Sequence, residues 1–263
     1  VIKFGGHAMV TPELADSFAH DIVLLQQVGI NPIVVHGGGP QIGLLLKKMG
    51  IESKFIDGLR ITDTKTMEVV EMVLVGSINK GIVSKINMAG GRAAGICGKD
   101  GKLISAKKIN PRKRGNNKID LGLVGEPTIV DPYILKTFEK SKIIPIIAPI
   151  GIEESGKTLN INADTVAGAI ASEVNASRLY MLTDVPGVLN QTEDLIKELS
   201  VQKAQEMIDQ KLITGGMIPK INTCTNAIKN GVECAAILDG RVQHSLLIEL
   251  FTAGGAGTLI KTK

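Results

Sequence analysis

Tryptophan is absent from the 263 residues, and tyrosine occurs only twice. A chain so poor in aromatic rings has little to stack on nucleobases or sugars, which argues against a base-stacking platform or a carbohydrate cleft. Cysteine is scarce as well. Cys97, Cys224 and Cys234 form no CxxC pair, and three cysteines do not build a disulfide framework, so a reducing compartment is the natural setting. No apolar run approaches the ~20 residues that span a bilayer. No signal peptide precedes Val1, and the missing initiator methionine leads us to expect a further segment before it.

What is present is globular material. A hydrophobic content of 44 % against 21 % charged residues is too apolar for a disordered chain. The length suits one large α/β domain or two lobes sharing a sheet. Thirty glycines suggest many tight strand-to-helix turns. The net charge of +4 is modest, and much of the excess lies between Lys99 and Lys118. There Lys107, Lys108, Arg112, Lys113, Arg114 and Lys118 cluster around Pro111 and Gly115 with no aromatic residue among them, which reads as a solvated loop and not a nucleic-acid surface.

The opening, Val1-Ile2-Lys3-Phe4-Gly5-Gly6, is a strand carrying a lysine and ending in a glycine pair, a layout that brings backbone N–H groups and a fixed charge to an anion. Thr11-Pro12-Glu13 predicts a helix start with Thr11 at the N-cap, followed by Leu14, Phe18, Ile22 and Leu25 on one face. Ile33-Val34-Val35 is a buried strand ending in His36-Gly37-Gly38-Gly39-Pro40, and a helix follows from about Gln41. This βαβα pattern predicts a mainly parallel sheet covered by helices. Downstream lie an amphipathic stretch from about Lys65 to Ala89, a strand near Ala93–Ile96, a hairpin region from Leu103 to Val124, and an apolar strand from Ile143 to Ile150. The last third reads as a helix opening beside Asp164, a strand Arg178–Leu182, two further helices, a strand Cys234–Leu238 and a hairpin-like tail. Every glycine-rich turn is read as following an apolar strand, which places them all at the carboxyl edge of one sheet, where open α/β sheets bind ligands.

Two phosphate motifs compete. Gly151-Ile-Glu-Glu-Ser-Gly156-Lys157-Thr158 spells a P-loop, but Thr158-Leu-Asn-Ile-Asn162 alternates like a strand where a helix is required, and Glu153 and Glu154 would repel a polyanion. Lys157 is better placed at a hairpin tip. His36 to Pro40 lacks the third glycine of a dinucleotide fingerprint, yet three glycines before a helix make a seat for carboxylate or phosphate. Arg60 offers a two-bond clamp for a carboxylate. Asn160, Asn162 and Asp164 stand where a strand gives way to a helix, for which capping is the plain alternative. Gly215-Gly216-Met217-Ile218-Pro219-Lys220 repeats the opening logic. Two lysines, several anion seats, a carboxylate clamp and two acids at strand ends, Asp164 and Asp184, suit phosphoryl transfer, which asks mainly for positioning and charge neutralisation.

In order and spacing, Val1–Gly6, Val35–Pro40, Gly58–Asp63, Asn160–Asp164, Leu182–Gly187 and Gly215–Lys220 resemble the amino acid kinase family over essentially the whole chain. The resemblance implies a three-layer αβα sandwich around a mainly parallel open sheet, with an N-lobe at residues 1–177 for the amino acid and dimer contacts and a C-lobe at 178–263 for the nucleotide. Its nearest branch phosphorylates the γ-carboxylate of N-acetyl-L-glutamate with ATP, an early step of arginine biosynthesis; members acting on glutamate, aspartate, carbamate or a nucleoside monophosphate are the alternatives. Lys3 and Lys220 would then neutralise the moving phosphoryl group, Gly6 would present its N–H, and Asp164 would hold the lysines. Gly38, Gly39, Arg60 and Asn160 would bind the amino acid. Gly5, Asp184, Val185, Gly187, Val188, Leu189, Leu212, Ile213, Thr214, Gly215 and Gly216 would line the nucleotide site. Magnesium would bridge phosphates, with no metal cage supplied by the protein. The tail from Arg241 to Thr258 resembles the arginine-inhibited branch, with Glu249 and Gly255 as inhibitor contacts. That implies a homodimer or a hexameric trimer of dimers, association with the PII nitrogen-signalling protein, and a cytoplasmic or plastid-stroma setting. His7 stands where the family commonly has a small residue.

Overall fold

Short apolar runs alternating with helices do build the predicted sheet. The computed structural model describes residues 1–5, 9, 11–114 and 117–263, with the backbone alone at 112–114 and 117; Gly6, His7 and Gly115 lie outside the described residues. The principal sheet has eight strands: β1 (Ile2–Phe4), β2 (Val34–His36), β3 (Ala93–Cys97), β4 (Ile144–Ala148), β5 (Arg178–Thr183), β6 (Glu198–Ser200), β7 (Cys234–Asp239) and β8 (Thr258–Lys261). Their spatial order is β6-β8-β7-β5-β1-β2-β4-β3. Neighbours run parallel except β7 and β8. β1 is central, with Lys3 opposite Met181 on one side and Val35 on the other.

The helices are α1 (Pro12–Gln27), α2 (Gly39–Lys48), α3 (Thr64–Glu71), α4 (Asn79–Met88), α5 (Tyr133–Lys140), α6 (Ala163–Glu173), α7 (Val201–Asp209), α8 (Met217–Lys229) and α9 (Ser245–Phe251). Because successive strand residues face opposite ways, each strand divides its side chains between two cores. Phe4, Val34, Ile146, Tyr180 and Leu182 pack with Phe18, Ile22 and Leu25 of α1 and Ile82 and Ile86 of α4. Val35, Ile147, Leu179, Met181 and Ile237 pack with α6, α7 and α8 on the other face. Two covered faces make the αβα sandwich. Lys3 lies between Ile2 and Phe4 of the α1 face, so it points to the α6 and α8 side. The expected lobe division at 177–178 falls between α6 and β5, and the β1–β5 pairing carries the sheet across it.

Four strands, Ile104–Lys108, Val124–Val130, Ile150–Ile152 and Thr158–Ile161, close into a small barrel. Several readings need correction. The basic segment is no plain loop: Arg112–Arg114 pairs with Asn117–Ile119 as a hairpin, and Lys107 and Lys108 bridge Glu126 and Asp120. The amphipathic stretch from about Lys65 to Ala89 is α3 and α4 joined by π-helical turns at Met72–Ile78. The tail is a helix, α9, leading to β8, and not a hairpin. Thr11 does occupy the N-cap of α1, but its side chain makes no capping bond.

Candidate active site

The site forms where β1 and β2 end and α2, α6 and α8 begin. Asn162 caps α6 by accepting from the Asp164 and Thr165 amides, the capping role weighed for it from sequence. That cap holds Asp164 in the first turn. Its Oδ1 lies 3.0 Å from Lys3 Nζ and its Oδ2 2.8 Å from Lys220 Nζ, so one carboxylate carries two ammonium groups. Lys3 and Asp164 are only 7 % and 8 % exposed. Burial alone would raise the Asp164 pKa, but Lys3 and Lys220 outweigh it and hold the carboxyl below its ordinary range. Burial pulls the Lys3 pKa down, and although Asp164 opposes this, the second ammonium adds to it. By formal charge, two ammonium groups against one carboxylate leave the cluster one positive charge for an anion.

Glycines make room for it. A side chain at Gly5 would put its Cβ 2.7 Å from Lys3 Nζ, and one at Gly38 would meet Ile78 Cδ1 at 2.5 Å and Leu74 Cδ2 at 2.6 Å. Gly38 caps α2, whose first turn contributes free N–H groups to the same cleft. The cleft, about 280 Å³, is lined by Lys3, Gly38, Gly39, Arg60, Asn160, Asp164 and Lys220, together with the apolar Ile42, Phe55, Leu59, Leu74 and Val124. That volume is at the small end of ligand pockets, which run roughly 300–1,000 Å³. Arg60 is buried with its guanidinium 4.6 Å over the Phe55 ring, donating to Gly39 O at 2.9 Å and to Ser53 Oγ. It thus ties the clamp to the glycine turn, and burial lowers its pKa. Asn160 is oriented by donating to Thr62 Oγ1 at 3.3 Å.

The nucleotide set lies elsewhere in part. Asp184 follows β5, accepts from Thr183 Oγ1 at 3.2 Å, and adds its field to Lys3. Gly187 adopts φ 150°, and a Cβ there would sit 2.6 Å from Thr258 Oγ1. Val188 and Ile213 are 2 % and 4 % exposed in the α6–α8 core, and the Val188 N–H donates to Thr258 Oγ1 while its carbonyl accepts from Ile196 N, whereas Leu189 and Leu212 are over a third exposed. Val185 is half-buried, and Thr214, Gly215 and Gly216 are exposed before α8. Gly215-Gly216 follows α7 and not a strand, a correction to the reading of the glycine turns. Glu249 is buried, its Oε2 accepting from Ala256 N at 2.7 Å and Gly257 N at 3.3 Å. Gly255, at φ 59°, leaves room for that carboxylate.

The P-loop spelling is a hairpin. Ile152 pairs with Thr158 across a turn in which Glu153 N meets Lys157 O at 2.8 Å, and Lys157 is exposed. No cluster of three metal-ligating side chains occurs among the described residues. A cavity of about 610 Å³ at the amino edge of the sheet involves neither Lys3, Lys220 nor Asp164. Sequence reasoning missed Phe55 over Arg60 and the buried contact of Asn79 with His36; a stacked ring and a buried amide leave no spacing signal.

A family model described as the amino acid kinase family matches residues 1–239. The chain belongs to the amino acid kinase family. It is 59 % identical over 266 residues to the acetylglutamate kinase of Rhodospirillum rubrum, covering 99 % of this chain and 86 % of that protein. The acetylglutamate kinase of Rhodospirillum centenum is 58 % identical over 268 residues, covering 100 % and 88 %. Among solved structures, the N-acetylglutamate synthase of Neisseria gonorrhoeae, complexed with coenzyme A and N-acetyl-glutamate, aligns at a TM-score of 0.88 and 24 % identity. This chain covers 59 % of that one, and the likeness is one of fold.

Proposed function

We propose that the protein acts as an acetylglutamate kinase, transferring the γ-phosphoryl group of ATP to the γ-carboxylate of N-acetyl-L-glutamate in arginine biosynthesis. The observation that carries this reading is the Lys3–Asp164–Lys220 cluster in one cleft with Gly38, Gly39, Arg60 and Asn160. An ionised carboxylate oxygen attacks the γ-phosphorus, the new O–P bond forms as the bond to the β-bridging oxygen breaks, and ADP departs. No proton moves, so no general base is needed. Lys3 and Lys220 offset the charge spread over the transferring group, and Asp164 keeps both in place. Arg60 binds the α-carboxylate, and the apolar wall of Ile42, Leu59 and Val124 receives the acetyl group. The segments Asp184–Leu189 and Leu212–Gly216 take the nucleotide, with magnesium on its phosphates.

The test is a hydroxamate assay with ATP, magnesium and a panel of N-acetylated and free amino acids. Turnover confined to N-acetyl-L-glutamate supports the reading; preference for a free amino acid or carbamate moves the protein to another branch. Repeating the assay with arginine tests inhibition through Glu249 and Gly255. The lobe roles, dimer or hexamer assembly and PII association belong to the same proposal, with sedimentation as the check on assembly. The two named relatives come from bacteria, which supports a cytoplasmic setting over a plastid one. No helix of the described residues is long and apolar enough to cross a membrane.

A further inference from the structure

His36 and Asn79 have no part in the chemistry above, yet both are fully buried beside the glycine turn. Asn79, the first residue of α4, places Nδ2 2.9 Å from Ile146 O, 3.4 Å from Ile96 O and 3.2 Å from His36 Nε2. Its Oδ1 accepts from Lys80 Nζ at 3.2 Å. Two carbonyls of the sheet thus face one end of the amide, which has to be the donor end, because an oxygen there would meet two other oxygens. His36 Nε2 must therefore accept, and in a neutral ring the proton is left on Nδ1. Nδ1 lies 2.9 Å from the carbonyl of Gly37 and donates to it. Burial, with the Lys80 charge adding to it against the Gly37 carbonyl, pulls the imidazole pKa down to about 4, so the ring stays neutral at working pH.

The consequence runs through one peptide plane. The Gly37 carbonyl and the Gly38 N–H belong to the same unit, no peptide is cis among the described residues, and in a trans peptide the two bonds point in opposite directions. Fixing the carbonyl on the His36 side turns the Gly38 N–H away from it, and Gly38 lines the cleft. Between two glycines that plane is otherwise free to flip, since neither residue has a Cβ to restrict it.

We infer that His36 and Asn79 are a positioning pair: Asn79 fixes the ring tautomer, and His36 locks the Gly37–Gly38 peptide so that the Gly38 N–H faces the substrate anion. The inference rests on the kinase reading for its activity readout and on geometry alone for its spectroscopic one. In ¹⁵N-resolved NMR of the free protein, His36 is expected as the Nδ1–H tautomer without titrating from pH 5.5 to 9. An Nε2–H tautomer or a titrating ring overturns the proposal whatever the enzyme phosphorylates. For kinetics, Asn offers an amide donor close to the position of Nδ1 and Leu does not. His36→Leu should lower kcat/KM for the acid that the wild-type protein turns over by about tenfold or more, the scale of a misplaced backbone donor. KM for ATP should stay within about twofold, and His36→Asn should recover most of the loss. If His36→Leu keeps full activity, or His36→Asn is no better, the pair does not position the turn. Should His36→Leu fail to fold, the tautomer measurement still decides.

Discussion

At Asp164 one carboxylate is shared by two ammonium groups, 3.0 and 2.8 Å away, and the two together keep it ionised against its burial. Lys3→Ala and Lys220→Ala should therefore each lower kcat by roughly a hundredfold or more, the loss of a preorganised charge, measured at saturating substrates. Asp164→Asn leaves two ammonium groups without a counter-charge, and breaking such a buried arrangement costs about 3–5 kcal/mol. The pH dependence follows from the sign of the shift. The Asp164 carboxyl lies lower in the folded than in the unfolded chain, so its stabilisation is present above the unfolded pKa of about 4 and lost as pH falls through the folded value. Denaturant midpoints should show the gap between wild type and Asp164→Asn closing below about pH 4; a gap unchanged at pH 2 would contradict the ion cluster. The lysine at position 3 was legible as a charge placed at a strand end beside a glycine turn, where the cleft lies. Its partner was not, because nothing in the order of residues ties position 3 to position 164.

Between elements, that partnership depends on how closely α6 approaches α8. One turn beyond Asp164, a Cβ on Gly168 would stand 2.7 Å from Thr223 Cγ2 of α8, so the missing side chain sets the spacing that lets Asp164 reach Lys220. Gly168→Ala should force the helices apart at a cost of about 1–3 kcal/mol and lower kcat about tenfold. Thr223→Ser, which removes the clashing methyl, should restore it; kcat of the double variant is the check. The glycine-rich Gly151–Thr158 segment yields the opposite expectation. As an exposed hairpin tip, Lys157→Ala should leave ATP turnover within about twofold of wild type, as surface substitutions usually do. Alternation in Thr158–Asn162 exposed the P-loop spelling as a strand, because a period of two is visible over four residues. The tail misled for the converse reason: α9 has seven residues, mostly apolar, too few to show a helical period, and β8 is fixed by pairing with a strand some twenty residues earlier.

Across the whole molecule, Arg60 shows how far apart in sequence the cleft is assembled. It sits on a two-residue strand, stacks on Phe55 and reaches Gly39, while Asn160 comes from the small barrel. On the proposed role of Arg60 in holding the ground-state carboxylate, Arg60→Ala should raise KM for the amino acid at least tenfold and leave kcat within about fivefold, the pattern of lost uniform binding. An unchanged KM in steady-state assays would remove the clamp. By itself, the sequence determined the run of apolar strands and helices, the glycine turns that end the strands, and the charges placed beside them. Parallel strands joined by helices bring their carboxyl ends to one edge, which is why the edge that carries the cleft was legible from the sequence. Only the tertiary structure decided which side chains meet there. Lys3 faces Asp164 because β1 lies at the centre of the sheet with Ile2 and Phe4 committed to the opposite core, and Asp164 faces Lys220 because Gly168 admits Thr223. His36, at the end of β2, holds the glycine turn because Asn79 arrives from α4 to fix its proton. These are contacts between residues far apart in the chain, and local patterns of hydrophobicity carry no record of them.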